Sequence, residues 1–177
     1  MQDTNKLILR RHFDEVLNQG KLDVVDEIYT YTYVLDAPVQ TEGSVASHGE
    51  THGRDGLKRR VILFRTAFPD IHFAVDNMIT EGDQVAVQYT FTGTHTGKFG
   101  ELEPTGKHIS VTGILIALLR DDKIENANSV FDSGDMLHQL ETEHKSPMHH
   151  LIDNLAGRVQ TLTENIKKTN SSHAAVS

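Results

Sequence analysis

The chain has 177 residues, with 25 Asp and Glu against 17 Lys and Arg and a net charge of −8. That length fits one domain with a core of ordinary size, with room for an appendage. The acidic balance argues against nucleic acid or an anionic membrane as a partner, because both attract basic patches. The lack of cysteine excludes disulfides, thiolate nucleophiles and cysteine-based zinc sites.

The opening run Met1-Gln2-Asp3-Thr4-Asn5-Lys6 has no basic region followed by an apolar one, which reads against a secretory signal. The longest apolar stretch, 114–119, is far shorter than the roughly 20 residues that cross a bilayer. A soluble cytoplasmic protein is expected.

Leu9, Phe13, Val16 and Leu17 recur at helical spacing; Asp3 or Thr4 suits the start and Gly20 the left-handed stop. A shorter helix follows, with Leu22, Val25 and Ile28 on one face. Residues 29–35 alternate Tyr and Thr and then turn β-branched, which suits a strand ended by Pro38. Residues 39–53 read as a polar, glycine-containing loop. Leu57, Val61, Phe64 and Phe68 mark a helix over 55–68, stopped by Pro69. The period then changes to two. Strands are expected at Ile71, Phe73 and Val75, over 84–92, over 108–119 and over 124–131, with turns at Glu81-Gly82-Asp83 and Asp121-Asp122. Helices first and a meander after is an α+β plan: a curved antiparallel sheet wrapped on the N-terminal helices as a cone open at one end.

The C-terminal part differs. Ser146-Pro147 suits a helix start. Met148, Leu151, Ile152, Leu155, Val159, Leu162 and Ile166 then form a narrow apolar stripe that needs cover, from its own domain or a sister subunit. The polar face is not basic enough to suggest a membrane surface. The expected divisions are a cone domain over 1–142, an amphipathic helix over 143–168 and a disordered tail over 169–177.

Several runs carry a resemblance. Phe13-Asp14-Glu15-Val16-Leu17-Asn18-Gln19-Gly20-Lys21, Phe68-Pro69-Asp70-Ile71, Glu81-Gly82-Asp83, Gly93-Thr94-His95-Thr96-Gly97, Pro104-Thr105-Gly106-Lys107 and Asp121-Asp122-Lys123-Ile124 stand in the order seen in SnoaL-like polyketide cyclases. The chain resembles that family over roughly 7–140. The resemblance implies the nuclear-transport-factor-2-like cone around one deep apolar pocket. Most of these motifs are structural and say little about chemistry.

Founding members close an aromatic polyketide ring by an intramolecular aldol step. They use an Asp acid/base, supporting His residues, and Asn and Gln side chains that bind the polyketide. Laid on that pattern, the Asp position is Ser129 and its neighbouring His position is Ala127. The His and Gln positions on the preceding strand are Leu115 and Gly113, and the Asn position is Leu35. None of the five matches. Residues two apart on a strand share a face, so Gly113 with Leu115, and Ala127 with Ser129, would give a small, apolar pocket floor with one hydroxyl. Aldol closure needs a base and an acid, and a hydroxyl cannot replace the carboxylate. The family's acid/base set is therefore not expected to operate here. These five positions are the expected substrate-binding residues.

Other polar residues have two readings each. Asp132 is an acid/base at a strand end, or an N-cap for a helix opened by Ser133-Gly134-Asp135. Asp36 is a base whose pKa desolvation would raise, or a turn residue before Pro38. Tyr33 either donates a hydrogen bond to a substrate carbonyl or packs. His95 reads as a structural hydrogen-bonding residue. His48 and His52 lack a helix to align them as ligands, and His149-His150 read as solvated. No metal set and no phosphate loop is visible, so neither metal nor cofactor is expected. Both faces of 108–119 are apolar, with Ile114, Ile116 and Leu118 opposite Leu115, Ala117 and Leu119. The outer face suggests a homodimer.

The functional expectation is a cofactor-independent cyclase, isomerase or lyase acting on a hydrophobic polyketide- or terpenoid-like small molecule, with Asp36, Tyr33 or Asp132 moving protons. The alternatives are a binding protein for such a molecule, and an interaction protein whose cone is filled by its own side chains.

Overall fold

The computed structural model describes residues 2–41 and 44–140. Helix α1, Gln2–Arg11, continues as a π-helical segment, His12–Asn18, and ends at Gly20 with φ +68°. Helix α2, Val24–Ile28, leads into strand β1, Tyr29–Thr41, and then β2, Ser44–His52. Helix α3 spans Gly53–Ala67. Strands β3, His72–Glu81, β4, Gln84–Thr94, β5, His108–Arg120, and β6, Lys123–Phe131, follow, and helix α4, Ser133–Leu140, comes last.

The six strands form one curved, unclosed sheet in the order β2-β1-β6-β5-β4-β3. All pairings are antiparallel except β1 with β6, so the sheet is mixed rather than a pure meander. The α+β plan stands. These residues belong to one compact unit, Met1–Glu141. The expected helix over 143–168 and tail over 169–177 lie outside the described residues, as do His149 and His150.

Two expectations need correction. Residues 39–53 are not a loop: β1 runs on to Thr41 and pairs with β2 from Val34↔His52 to Thr41↔Ser44. Pro38 does not end β1 either. It lies opposite His48 and beyond the last pair with β6, Asp36↔Asn128, so one side of the strand is open there. Proline is tolerated where a ladder is missing on one side.

The core sits between the inner sheet face and the helices. Phe13, Val16, Leu57, Val61, Val87, Phe91, Val111 and Leu115 are all buried. Strand β5 alternates strictly from His108 to Ala117, with Ile109, Val111, Gly113, Leu115 and Ala117 inward. The positive φ of Asp121 and Asp122, 48° and 56°, makes the tight β5–β6 turn. Arg65 of α3 fastens the first helix: its Nη1 donates to the carbonyls of Leu17 and Asn18 at 3.0 and 2.8 Å.

The loop after β4 is tied by His95 and Gly97. His95 is fully buried; its backbone bonds both Lys107 and Gly106, and its Nδ1 takes the Thr105 N–H at 3.3 Å. The ring lies against Phe68 at 5.1 Å, and burial lowers its pKa. This is the structural role expected of it. Gly97 presses on the end of α3, donating its N–H to the Ala67 carbonyl, and a Cβ there would lie 2.0 Å from the Thr66 carbonyl oxygen.

Gly97→Ala therefore must push the loop off α3. We expect a loss of about 2–3 kcal/mol of stability, read as a lowered urea midpoint. A second expectation concerns acid. His12 is 5% exposed, and burial pushes its imidazole pKa down to about 3. The unfolded chain binds this proton near pH 6.5 and the folded one does not, so the associated stability is complete above that pH. It is lost as pH falls from about 6.5 toward 3. His12→Phe should flatten the decline between pH 7 and 4.5 by about 2–3 kcal/mol, measured by urea unfolding at both pH values. An unchanged slope would count against burial of a neutral imidazole.

Candidate functional site

The inner sheet face and the helices enclose a cavity of about 700 Å³, counting its open mouth. Its wall is largely aromatic and aliphatic: Phe13, Phe64, Phe73, Phe91, Phe131 and Leu115 all reach it. Phe73 stacks on Phe91 at 5.3 Å, and Phe91 meets Phe131 edge-on at 5.5 Å.

The floor is set by three residues on adjacent strands. Tyr89 on β4 pairs with Gly113 on β5, and a Cβ at Gly113 would lie 2.6 Å from the Tyr89 hydroxyl. Glycine thus leaves a slot, and the tyrosine lies across it to reach Ser129 on β6. The hydroxyls of Tyr89 and Ser129 stand 2.9 Å apart. Burial raises the Tyr89 pKa, opposed by the Ser129 hydrogen bond and the Arg60 charge.

The sequence-derived positions divide clearly. Leu35, Leu115, Ser129 and Tyr33 all line the cavity. Gly113 does not line it, because the Tyr89 ring fills its slot. Ala127 is buried but lies outside the lining, paired between Leu35 and Ala117. Tyr33 is buried, packs edge-on against Tyr29 at 4.6 Å, and has its pKa raised by that burial.

The two carboxylate candidates lie elsewhere. Asp36 is on the opposite face of β1 from Tyr33 and Leu35, because adjacent strand residues point apart. There its carboxylate accepts the Asn128 side-chain N–H at 3.2 Å. Asp132 is exposed and caps α4: its side chain accepts the Asp135 N–H at 2.8 Å, and its carbonyl takes the Met136 N–H. No Asp or Glu is among the described residues that line the cavity.

The expected pocket floor is small and apolar with one hydroxyl; the floor here carries two, those of Ser129 and Tyr89. The apolar wall is there, but the wall also holds His12, Arg60 and Arg65. Arg60 lies over the Phe64 ring at 5.3 Å, and burial lowers its pKa against the pull of Tyr33 and Tyr89. It belongs to the apolar stripe of α3, three residues after Leu57 and four before Phe64, and that spacing could have placed it. His12 starts the π-helical turn, and no simple helical period predicts where that turn aims it. Its Nδ1 lies 2.5 Å from the Tyr29 hydroxyl.

His52 does not join a metal set: it pairs with Glu50 at 3.0 Å on the surface. Among the described residues there is no group of three or more His, Cys, Asp or Glu that could hold a metal. No helix among them is long and apolar enough to cross a membrane.

The fold is shared with known structures. A protein from Jannaschia sp. CCS1, named for the SnoaL-like polyketide cyclases, is 22% identical with a TM-score of 0.69 over 78% of this chain and 92% of that one. IdmH from Streptomyces antibioticus, named for the polyketide cyclases, is 24% identical with a TM-score of 0.64 over 77% of this chain and 97% of its own. A protein from Acidithiobacillus ferrooxidans with a polyketide cyclase name is 27% identical with a TM-score of 0.65 over 77% and 94%. No curated protein matches. The model of the SnoaL-like polyketide cyclases matches residues 7–140, most of the chain, and the protein belongs to that family.

Proposed function

We propose that this protein is a cofactor-independent cyclase- or isomerase-type enzyme for a hydrophobic polyketide- or terpenoid-like molecule, working without the family's aldol acid/base set. The observation that supports this most is the cavity wall, where aromatic side chains meet neutral hydroxyls and, among the described residues, no carboxylate. A flexible apolar chain held there loses its freedom before it reacts, and such positioning alone supplies several kcal/mol of a barrier. Tyr33 is the group that polarises a substrate carbonyl. Burial keeps its phenol protonated, and its hydroxyl has no hydrogen-bond partner among the described residues. Leu35, Leu115 and Ser129 shape the substrate.

The lack of a carboxylate among the described residues of the wall also favours a second reading, a binding protein that holds the same class of molecule unchanged. The two separate with a model poly-β-ketone and product analysis. On the enzyme reading, Tyr33→Phe lowers turnover about 100-fold, as loss of an oxyanion donor does. Leu115→Trp, which fills the cavity, abolishes it. Asp36→Asn and Asp132→Asn leave it intact. Binding that Leu115→Trp blocks, with no turnover by the wild type, supports the binding reading instead. Turnover that survives Leu115→Trp moves the site elsewhere.

The convex sheet face bears on assembly. Ile114 and Ile116 of β5 are each 47% exposed, and Val130 of β6 and Ile79 of β3 are also exposed on the sheet. Isoleucines at the centre of a sheet are not edge residues. A second copy of the chain packed on this face would remove them from water. Ile116→Lys should turn a homodimer into a monomer in light scattering at micromolar concentration. A wild type that is already monomeric there would exclude the dimer.

A further inference from the structure

His12 has a feature that the cavity reading does not use. Its Nδ1 is 2.5 Å from the Tyr29 hydroxyl, deep in the core. Tyr29 has no other side-chain hydrogen bond among the described residues, and a buried hydroxyl must donate somewhere. Its proton therefore goes to Nδ1, and a neutral imidazole that accepts at Nδ1 carries its hydrogen on Nε2. The ring stays neutral at working pH because burial lowers its pKa to about 3, while burial raises that of Tyr29 and keeps the phenol protonated. The rings of Phe13 and Tyr29 lie edge-on to the imidazole at 4.8 and 5.9 Å and hold its plane.

Nε2 has no hydrogen-bond partner among the described residues, yet His12 is part of the cavity wall. Nε2 is not one of the fully sealed, unpartnered side-chain atoms among the described residues, so it is open to the cavity, where a ligand oxygen can accept its hydrogen. The residue also opens a π-helical segment, a local geometry found often at functional sites. We infer that His12 is a ligand-binding donor: its Nε2–H holds a carbonyl or enolate oxygen of an apolar ligand in the cavity, with Tyr29 fixing the tautomer. The inference rests on the reading of the cavity as a small-molecule site and narrows it to carbonyl-bearing molecules. A neutral imidazole stabilises a developing enolate by hydrogen bonding, with no net proton taken from solution.

The test uses 2-acetylnaphthalene and its planar isostere 2-isopropenylnaphthalene, in which CH₂ replaces the oxygen. The chain has no tryptophan, so naphthyl fluorescence reports binding cleanly. The ratio of ketone to alkene affinity should fall roughly fivefold in His12→Phe, while alkene affinity is kept. Tyr29→Phe, which leaves both rings in place, should lower the same ratio and mix the tautomers. Nitrogen-15 spectra of histidine-labelled wild type should show His12 neutral with hydrogen on Nε2 at pH 7. An unchanged ratio in both variants, or hydrogen on Nδ1 in the wild type, overturns the role of His12 and leaves the cavity reading standing. If neither probe binds the wild type, the cavity reading itself fails and the inference falls with it.

Discussion

Tyr89 lying across Gly113 to reach Ser129 is the constraint on which the floor of this cavity depends. Any side chain at position 113 would meet the phenol within 2.6 Å. The tyrosine would then swing into the cavity or out of the core, and Ser129 would lose its partner. The arrangement joins three neighbouring strands through one hydrogen bond and one missing Cβ. It also replaces polar groups of the family pattern with a ring whose hydroxyl is already engaged, so the floor presents mostly hydrocarbon to anything bound.

The consequence is a displacement of charge. The family pattern places its carboxylate on the strand that here carries Ser129. In this chain, Asp36 and Asp132 are near in sequence to the cavity strands but are spent on the convex face and on a helix cap. The basic groups at the wall come from the helices instead, His12 from the first helix and Arg60 and Arg65 from α3. Helix-borne groups above an apolar floor favour reactions that proceed by holding and polarising a substrate. They do not suit reactions that need a strong base beneath it.

Much of this was legible from residue order alone, and the reasons are physical. Strand β5 repeats with period two over most of its length, and burial of one face leaves no freedom in its register, so Leu115 could be placed inward from sequence. Gly20 sits at φ +68°, where a left-handed stop was expected. Strand β2 was not legible, because its glycine, serine and histidine residues carry no alternation and its order comes from pairing with β1. The parallel β1–β6 contact was hidden for a similar reason: it joins segments about 90 residues apart and leaves no local mark. His12 was missed because a π-helical segment adds a residue to each turn and so changes which side chains share a face.

Strand β6 brings the two surfaces of the sheet within one peptide of each other. Ser129 faces the cavity, and Asn128 and Val130 on either side face the convex surface. Asn128 binds Asp36 there and pairs across with Ile116 on β5. This polar pair stands beside the exposed Ile116. A displacement of Ile116 would therefore be felt by β6, the paired strand that holds Ser129 beneath Tyr89. Close-packed interiors transmit such displacements rather than absorb them. The cavity floor and the convex face in that sense share one strand, with Ser129 on one side of it and Asn128 and Val130 on the other.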